Sequence, residues 1–264
     1  MAPTPDIDLL TSGTPNGHKV SITLEELGLK YNAQKIDLSK NQQKEEWFLK
    51  VNPNGRIPAI VDKTSGKPKR VFEGASIQLY LCEKYDKEHK ISFEYDSDEY
   101  WEMVEWMVWM QSGLGPMQGQ ANHFYRYAPE KIPYAINRYQ TETRRLYSVL
   151  NDRLASQRAA FALPASQPAF LVANKYSAAD ICVFSWANWG EWAGVDPREA
   201  AFPEVKVWLE AIEKRAAVEK GTNVPDEFKM KEIMRSKEKS EEYAKHSSGW
   251  IMKGMKEEEG KGKM

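Results

Sequence analysis

A change of hydrophobic period near residue 97 constrains this chain more than any other feature of its sequence. Before it, short apolar runs alternate with helix-spaced ones, as βαβ units do; after it only helical spacing remains. Ile7 to Leu10 reads as a strand. The turn Thr11 to Gly17 leads into a helix carrying Val20, Ile22, Leu24 and Leu27, with Gly28 as its stop. Residues 31 to 36 read as a second strand and Asn41 to Lys50 as a short helix. Two prolines and an Asn-Gly in 52–58 make an ordered loop into a strand at Ala59 to Asp62, and 63–69 turns the chain back into Arg70-Val71-Phe72. A helix over Ala75 to Tyr85 completes an α/β sandwich of about 85 residues.

The polar, aperiodic stretch from Lys84 to Asp98 reads as a linker. Met103, Trp106, Met107, Met110 and Leu114 then follow helical spacing, and Gly113-Leu114-Gly115-Pro116 should bend or end that helix. A second long helix is expected from Ile132 to Gln157, a capped one after Ser177-Ala178-Ala179-Asp180, and another from Pro203. The last 42 residues carry ten Lys or Arg and nine Asp or Glu; they read as a disordered charged tail, with a helix over part of 226–245 as the alternative. The organisation expected is 1–86, an α/β domain; 87–96, a linker; 97–222, an all-helical domain; and 223–264, the tail.

Composition removes several function classes. Lys and Arg number 37 against 38 Asp and Glu, so the broad basic excess of a nucleic-acid-binding chain is missing. Neither a long uncharged apolar run nor a signal-peptide pattern occurs, so a cytoplasmic protein without a membrane partner is expected. Cys82 and Cys182 stand a hundred residues apart inside apolar runs. That spacing excludes a Cys-x-x-Cys pair and a cysteine-built zinc site, and both read as small core hydrophobes. Four scattered histidines, His18 and His123 among them, lack ligand spacing, so no metal is expected.

A small α/β domain followed by helices, with Ile57-Pro58 entering a strand and Phe72-Glu73 before a helix, resembles the glutathione transferases over about residues 6 to 222. Thr14-Pro15-Asn16-Gly17-His18-Lys19, Gly113-Leu114-Gly115-Pro116-Met117 and Ile132-Pro133-Tyr134-Ala135-Ile136-Asn137-Arg138-Tyr139 sharpen the resemblance to the bacterial nu class and its fungal nitrogen-regulator-like relatives. The fold implied is a thioredoxin-like α/β N-terminal domain followed by an all-α C-terminal domain.

A helix N-terminus presents free N–H groups and a partial positive charge, so a thiol held there ionises more readily. Thr14 and Asn16 stand in that turn, and the resemblance implies that they contact the sulfur of bound glutathione. It also implies that the backbone of Ile57, before Pro58 in Arg56-Ile57-Pro58, pairs with the cysteinyl residue, and that Gln43, thirteen residues before Arg56, reaches the glycyl carboxylate. Glu73 suits the γ-glutamyl ammonium. The family pattern continues with serine where this chain has Gly74, so the amide survives and the hydroxyl does not; Ser76 is a candidate substitute. Arg138 lies in the segment that, in the nu-like group, reaches a second glutathione. Trp101, Trp106, Trp109 and Met110 are candidates for an acceptor pocket, with most of them assigned to core.

The function implied is a glutathione-dependent disulfide reductase or S-transferase, a homodimer acting on a small disulfide or electrophile with glutathione or its disulfide as co-substrate. The alternative is a ligand-responsive regulatory protein with vestigial catalysis. The short stretch before the first strand, without an Asn/Gln-rich extension, favours the enzyme.

Overall fold

The computed structural model describes residues 4–261. Its N-terminal part is a four-stranded sheet in the order β2-β1-β3-β4, formed by β1 (Ile7–Thr11), β2 (Asn32–Lys35), β3 (Ala59–Asp62) and β4 (Lys69–Phe72). β1 runs parallel to β2 and antiparallel to β3, which pairs antiparallel with β4. The parallel pair needs a crossover, and α1 (Pro15–Glu26) supplies it. The short α2 (Glu46–Leu49) precedes the loop into β3, and α3 (Gly74–Tyr85) follows β4.

α1 begins inside the expected turn because Thr14 caps it and Pro15 fills its first position, where a missing N–H costs nothing. It also lies unusually close to the strand that feeds it. A Cβ on Gly17 would stand 2.2 Å from the Ser12 carbonyl oxygen, so only glycine permits this approach. The expected helix over 41–50 is instead one 3₁₀ turn, Gln42–Lys44, and α2, because Glu45 between them is extended, with φ −71° and ψ 149°.

Helices alone build the rest of the described chain. α4 (Asp98–Trp109) runs through a π-helical turn, Met110–Leu114, into α5 (Gly115–Asn122) and a second π turn, His123–Tyr127. The Gly-Pro segment therefore widens the helix rather than ending it, with the Gly115 N–H reaching back to the Met110 carbonyl. α6 (Pro133–Ala160), α7 (Ala178–Ala187), α8 (Pro203–Glu213) and α9 (Ala216–Thr222) surround a core that includes Met103, Met107, Leu150, Phe184 and Trp208. α7 starts with the expected capping box. Its Asp180 is fully buried and accepts hydrogen bonds from Ser177 N, Leu171 N and Trp208 Nε1. Burial raises the Asp180 carboxyl to about 6 against the pull of those donors.

α1 is also the seam between the two halves. Ser21 Oγ donates to the Gly221 carbonyl at 2.6 Å, and Arg215 makes a two-pronged pair with Glu26 at 2.7 and 2.9 Å. The polar stretch after α3 is pinned as well: Asp86 accepts from Lys90 N, Ile91 N and Ser92 Oγ, and Ile91 is buried in the helical core.

The charged C-terminal stretch departs most from expectation. It forms α10 (Met230–Arg235) and α11 (Lys237–Lys261), and these pack on the body of the protein. Met230 and Ala244 close an aromatic cluster with Trp189, Trp192, Tyr127, Phe228 and Tyr243. The stretch read as disordered is thus helical, held by a few apolar residues among many charges.

Candidate active site

The N-terminus of α1, the loop into β3 and the start of α3 face the helical half across a cleft of about 840 Å³, within the usual range for a small-molecule site. Thr14, Asn16, Gln43, Arg56, Ile57, Pro58, Glu73 and Gly74 all line it. Residues spread over sixty positions of sequence therefore share one wall.

Thr14 Oγ1 accepts from Gly17 N at 3.2 Å. That bond uses a lone pair and leaves the hydroxyl proton available, so capping the helix and donating to a ligand are compatible. Asn16 is held from across the cleft. Trp186 Nε1, on α7, lies 3.0 Å from Asn16 Oδ1. An indole N–H can only donate, so the amide oxygen must face Trp186 and the Asn16 NH₂ is left to donate elsewhere. Gly115 and Gly119, one turn apart on α5, seat the indole: a Cβ at either would come within 3.3 Å of it. Trp186 was missed at the sequence level. It ends an apolar run that reads as core, although an indole N–H in such a run commonly reaches a partner.

The Ile57-Pro58 peptide is cis, and Asn52 Nδ2 donates to the Arg56 carbonyl at 2.6 Å, tying down the loop before it. Gln43 is buried against the cleft; its Nε2 donates to Asn41 Oδ1 at 3.3 Å, and its Oε1 has no hydrogen-bond partner. Glu73 adopts φ 68°, ψ 121°, a costly conformation for a residue with a Cβ, of the kind that concentrates at functional sites. Its Oε1 accepts from Asn54 Nδ2 at 3.3 Å.

The structure does not bring Arg138 to this wall. It lies exposed on α6, 3.9 Å from Glu142, as a solvated helix-face arginine. Ser76 is exposed and does not line the cleft. The expected acceptor residues are elsewhere too: Met110 is core, Trp106 and Trp109 pack against it as a T-shaped pair, and Trp101 is half exposed with its indole on Asp96. The aromatic wall is formed instead by Trp186, Trp189, Trp192 and Tyr127, and by Tyr243 and Trp250 of α11. Ser247, Ile251, Gly254 and Met255 continue the α11 face across the cleft.

Both cysteines are buried and inert. Burial pushes the Cys182 thiol up to about 11 and the Cys82 thiol further in the same direction. Among the described residues, no group of His, Cys, Asp or Glu is arranged to hold a metal ion, and no helix is long and apolar enough to cross a membrane.

A thioredoxin-like sheet domain with a cis-proline loop, followed by a helical domain that closes the cleft, defines the architecture of a cytosolic glutathione transferase. The glutathione S-transferase N-terminal domain model matches residues 14–84 and the C-terminal domain model residues 122–216, and the chain belongs to this family. It is 42% identical over 214 residues to the disulfide-bond oxidoreductase YfcG of Escherichia coli K12, covering 80% of this chain and 92% of that one. A crystal structure of a glutathione transferase homologue from Lodderomyces elongisporus, with two GSH per subunit, superposes with a TM-score of 0.77 at 42% identity, over 83% of this chain and 99% of that one. The nitrogen regulation fragment of the yeast prion protein Ure2p superposes with a TM-score of 0.77 at 33% identity, over 84% and 98%. The family models stop before α10 and α11.

His18 connects α1 to this C-terminal addition. It is buried, 5.3 Å from Phe228 edge-on and 6.1 Å from Trp189, and its Nε2 has no partner. Burial lowers its pKa to about 4, below the ordinary 6.5, so the folded protein holds a neutral ring. The unfolded chain takes up this proton first as pH falls. The stability that His18 contributes is therefore complete above pH 6.5 and is lost between there and about 4, up to about 3 kcal/mol. We expect the denaturant midpoint of the native protein to fall over that window, and His18→Phe to remove about one proton from the dependence; an unchanged slope would contradict it.

Proposed function

We propose that this chain is a glutathione-dependent enzyme that reduces small disulfides, with conjugation to electrophiles as a second use of the same thiolate. The observation that carries the reading is the convergence on one cleft of two hydrogen-bond donors at a capped helix N-terminus, Thr14 and Asn16, with groups suited to both ends of an extended tripeptide. Lys44, Arg56 and Gln43 suit a carboxylate at one end; Glu73 and the first amides of α3 suit an ammonium and a carboxylate at the other. The name of the bacterial relative and the glutathione bound in the fungal homologue support this assignment.

Glutathione is the co-substrate in this mechanism. The Thr14 hydroxyl and the Asn16 NH₂ donate to its sulfur, and the N-terminal field of α1 favours the thiolate. The Ile57 backbone pairs with the cysteinyl residue. The thiolate attacks one sulfur of the substrate disulfide; the new S–S bond forms as the old one breaks, and the displaced thiolate takes a proton from solvent. A second glutathione thiolate then attacks the glutathionyl sulfur of that mixed disulfide, releasing glutathione disulfide and the other substrate thiol. The protein need not become a disulfide at any stage, in keeping with its two buried cysteines. We place the reaction in the cytoplasm.

Glutathione turnover on a small mixed disulfide tests the assignment. Thr14→Ala and Asn16→Ala should each lower it about tenfold or more, and Thr14→Ser should retain it. Undiminished turnover in both alanine variants removes the mechanism. Tight glutathione binding by the native protein without turnover would instead assign it a ligand-responsive binding role, as in the regulatory reading.

The enzyme is proposed to be a homodimer, on family resemblance and on exposed apolar side chains such as Trp101 and Val108 of α4 and Phe72 of β4. Sedimentation should give twice the chain mass of 30.3 kDa; a particle of one chain mass would refute it.

A further inference from the structure

The γ-glutamyl end of the cleft lacks the serine hydroxyl of the family pattern, and another group occupies the space. Lys19, on α1, is 1% exposed, and its Nζ donates to Gln111 Oε1 at 2.5 Å. A Cβ placed on Gly74 would stand 3.1 Å from Lys19 Cε and 3.3 Å from Nζ. Gly74 and Gln111 both face the cleft. Lys19 does not itself line the cleft, but its Nζ lies against two residues that do, and Gly74 has no side chain to stand between it and the cleft.

Little counter-charge surrounds this amine. Burial lowers the Lys19 pKa, opposed by the charge that Cys182 carries once ionised and by that of Glu73. The Cys182 thiol, pushed up to about 11, is uncharged at neutral pH. The Glu73 carboxylate is exposed and engaged with Asn54. Gln111 offers a dipole only. A buried ammonium with so little counter-charge is costly, and an anion arriving above Gly74 would relieve that cost.

We propose that Lys19 binds the α-carboxylate of the γ-glutamyl residue of glutathione, taking over from the missing serine hydroxyl, and that Gly74 is the small residue that opens its path. This rests on the glutathione-binding reading above. The geometry suits an α-amino acid head, whose ammonium and carboxylate hang from one carbon. Glu73 receives the first, while the Gly74 amide at the start of the twelve-residue α3 and the Lys19 ammonium receive the second. Lys19 is thereby a specificity-determining residue for a γ-glutamyl thiol over thiols lacking that carboxylate.

The test is calorimetric titration of the full-length protein with glutathione and with an analogue carrying a 4-aminobutyryl group in place of γ-glutamyl, which keeps the amine and lacks the carboxylate. Lys19→Met should weaken glutathione about tenfold or more and the analogue less than about twofold. Adding Gly74→Ser to Lys19→Met should recover part of the loss, since the serine restores a donor. Gly74→Ala in the native background gives a second reading with Lys19 retained: its methyl crowds Nζ without adding a donor, and it should weaken glutathione selectively. Equal losses for both ligands, or no loss for glutathione, would overturn the role of Lys19. A native protein that binds no glutathione would overturn this inference together with the function it rests on, whereas native binding that Lys19→Met leaves unchanged overturns the inference alone.

Discussion

A hydrogen bond across the cleft runs from the indole of Trp186 in the helical half to the side-chain oxygen of Asn16 at the start of α1. A free asparagine amide samples both orientations; this one has its oxygen committed, so its NH₂ is directed by a residue 170 positions away in sequence. The bond depends on α7 being where it is. That in turn depends on the buried Asp180 holding the start of the helix and on glycines 115 and 119 leaving room for the ring. The proposed thiolate site is thus built from both halves although its donors come from one, and the seam along α1, with Arg215 on Glu26 and Ser21 on Gly221, sets its geometry.

α11 gives the site its second distinctive feature. It lays Tyr243, Ser247, Trp250, Ile251, Gly254 and Met255 along the cleft, with Gly254 close to Asn41 of the sheet half. Together with Trp189 and Trp192 this makes a wall rich in aromatic surface, the kind of surface that binds flat or apolar acceptors with little entropy loss. The cleft therefore combines a polar, charge-matched half, suited to a peptide with ionised ends, and an aromatic half built largely after residue 185.

The fold was largely legible because its strongest signals are periodic. The switch near residue 97 separated sheet from helix, and Ser177 with Asp180 marked a helix start that the structure shows as a capping box. That Thr14, Ile57-Pro58 and Glu73-Gly74 share one wall of the cleft was legible through short motifs, since a threonine cap, a proline loop and a Glu-Gly step occupy turns whose placement the fold itself dictates. The aromatic wall was not. Trp101, Trp106 and Trp109 have the same local pattern as Trp186 and Trp189, and only the packing of α7 decides which rings face the cleft. The C-terminal helix was misjudged because its average composition is charged, while its cleft-facing positions 243, 247, 250, 251, 254 and 255 recur at helical spacing. Lys19 belongs to the motif that carries the family resemblance, but nothing local to it shows that it is buried against Gly74, 55 positions away.

The central claim is that this protein borrows its thiol and ionises it at the α1 N-terminus. The most direct measurement is a pH titration of thiolate ultraviolet absorbance for glutathione bound to the full-length protein. The account predicts a bound-thiol pKa well below that of free glutathione, rising towards the free value in Thr14→Ala and Asn16→Ala. A bound thiol that titrates like the free peptide in the native protein would contradict it.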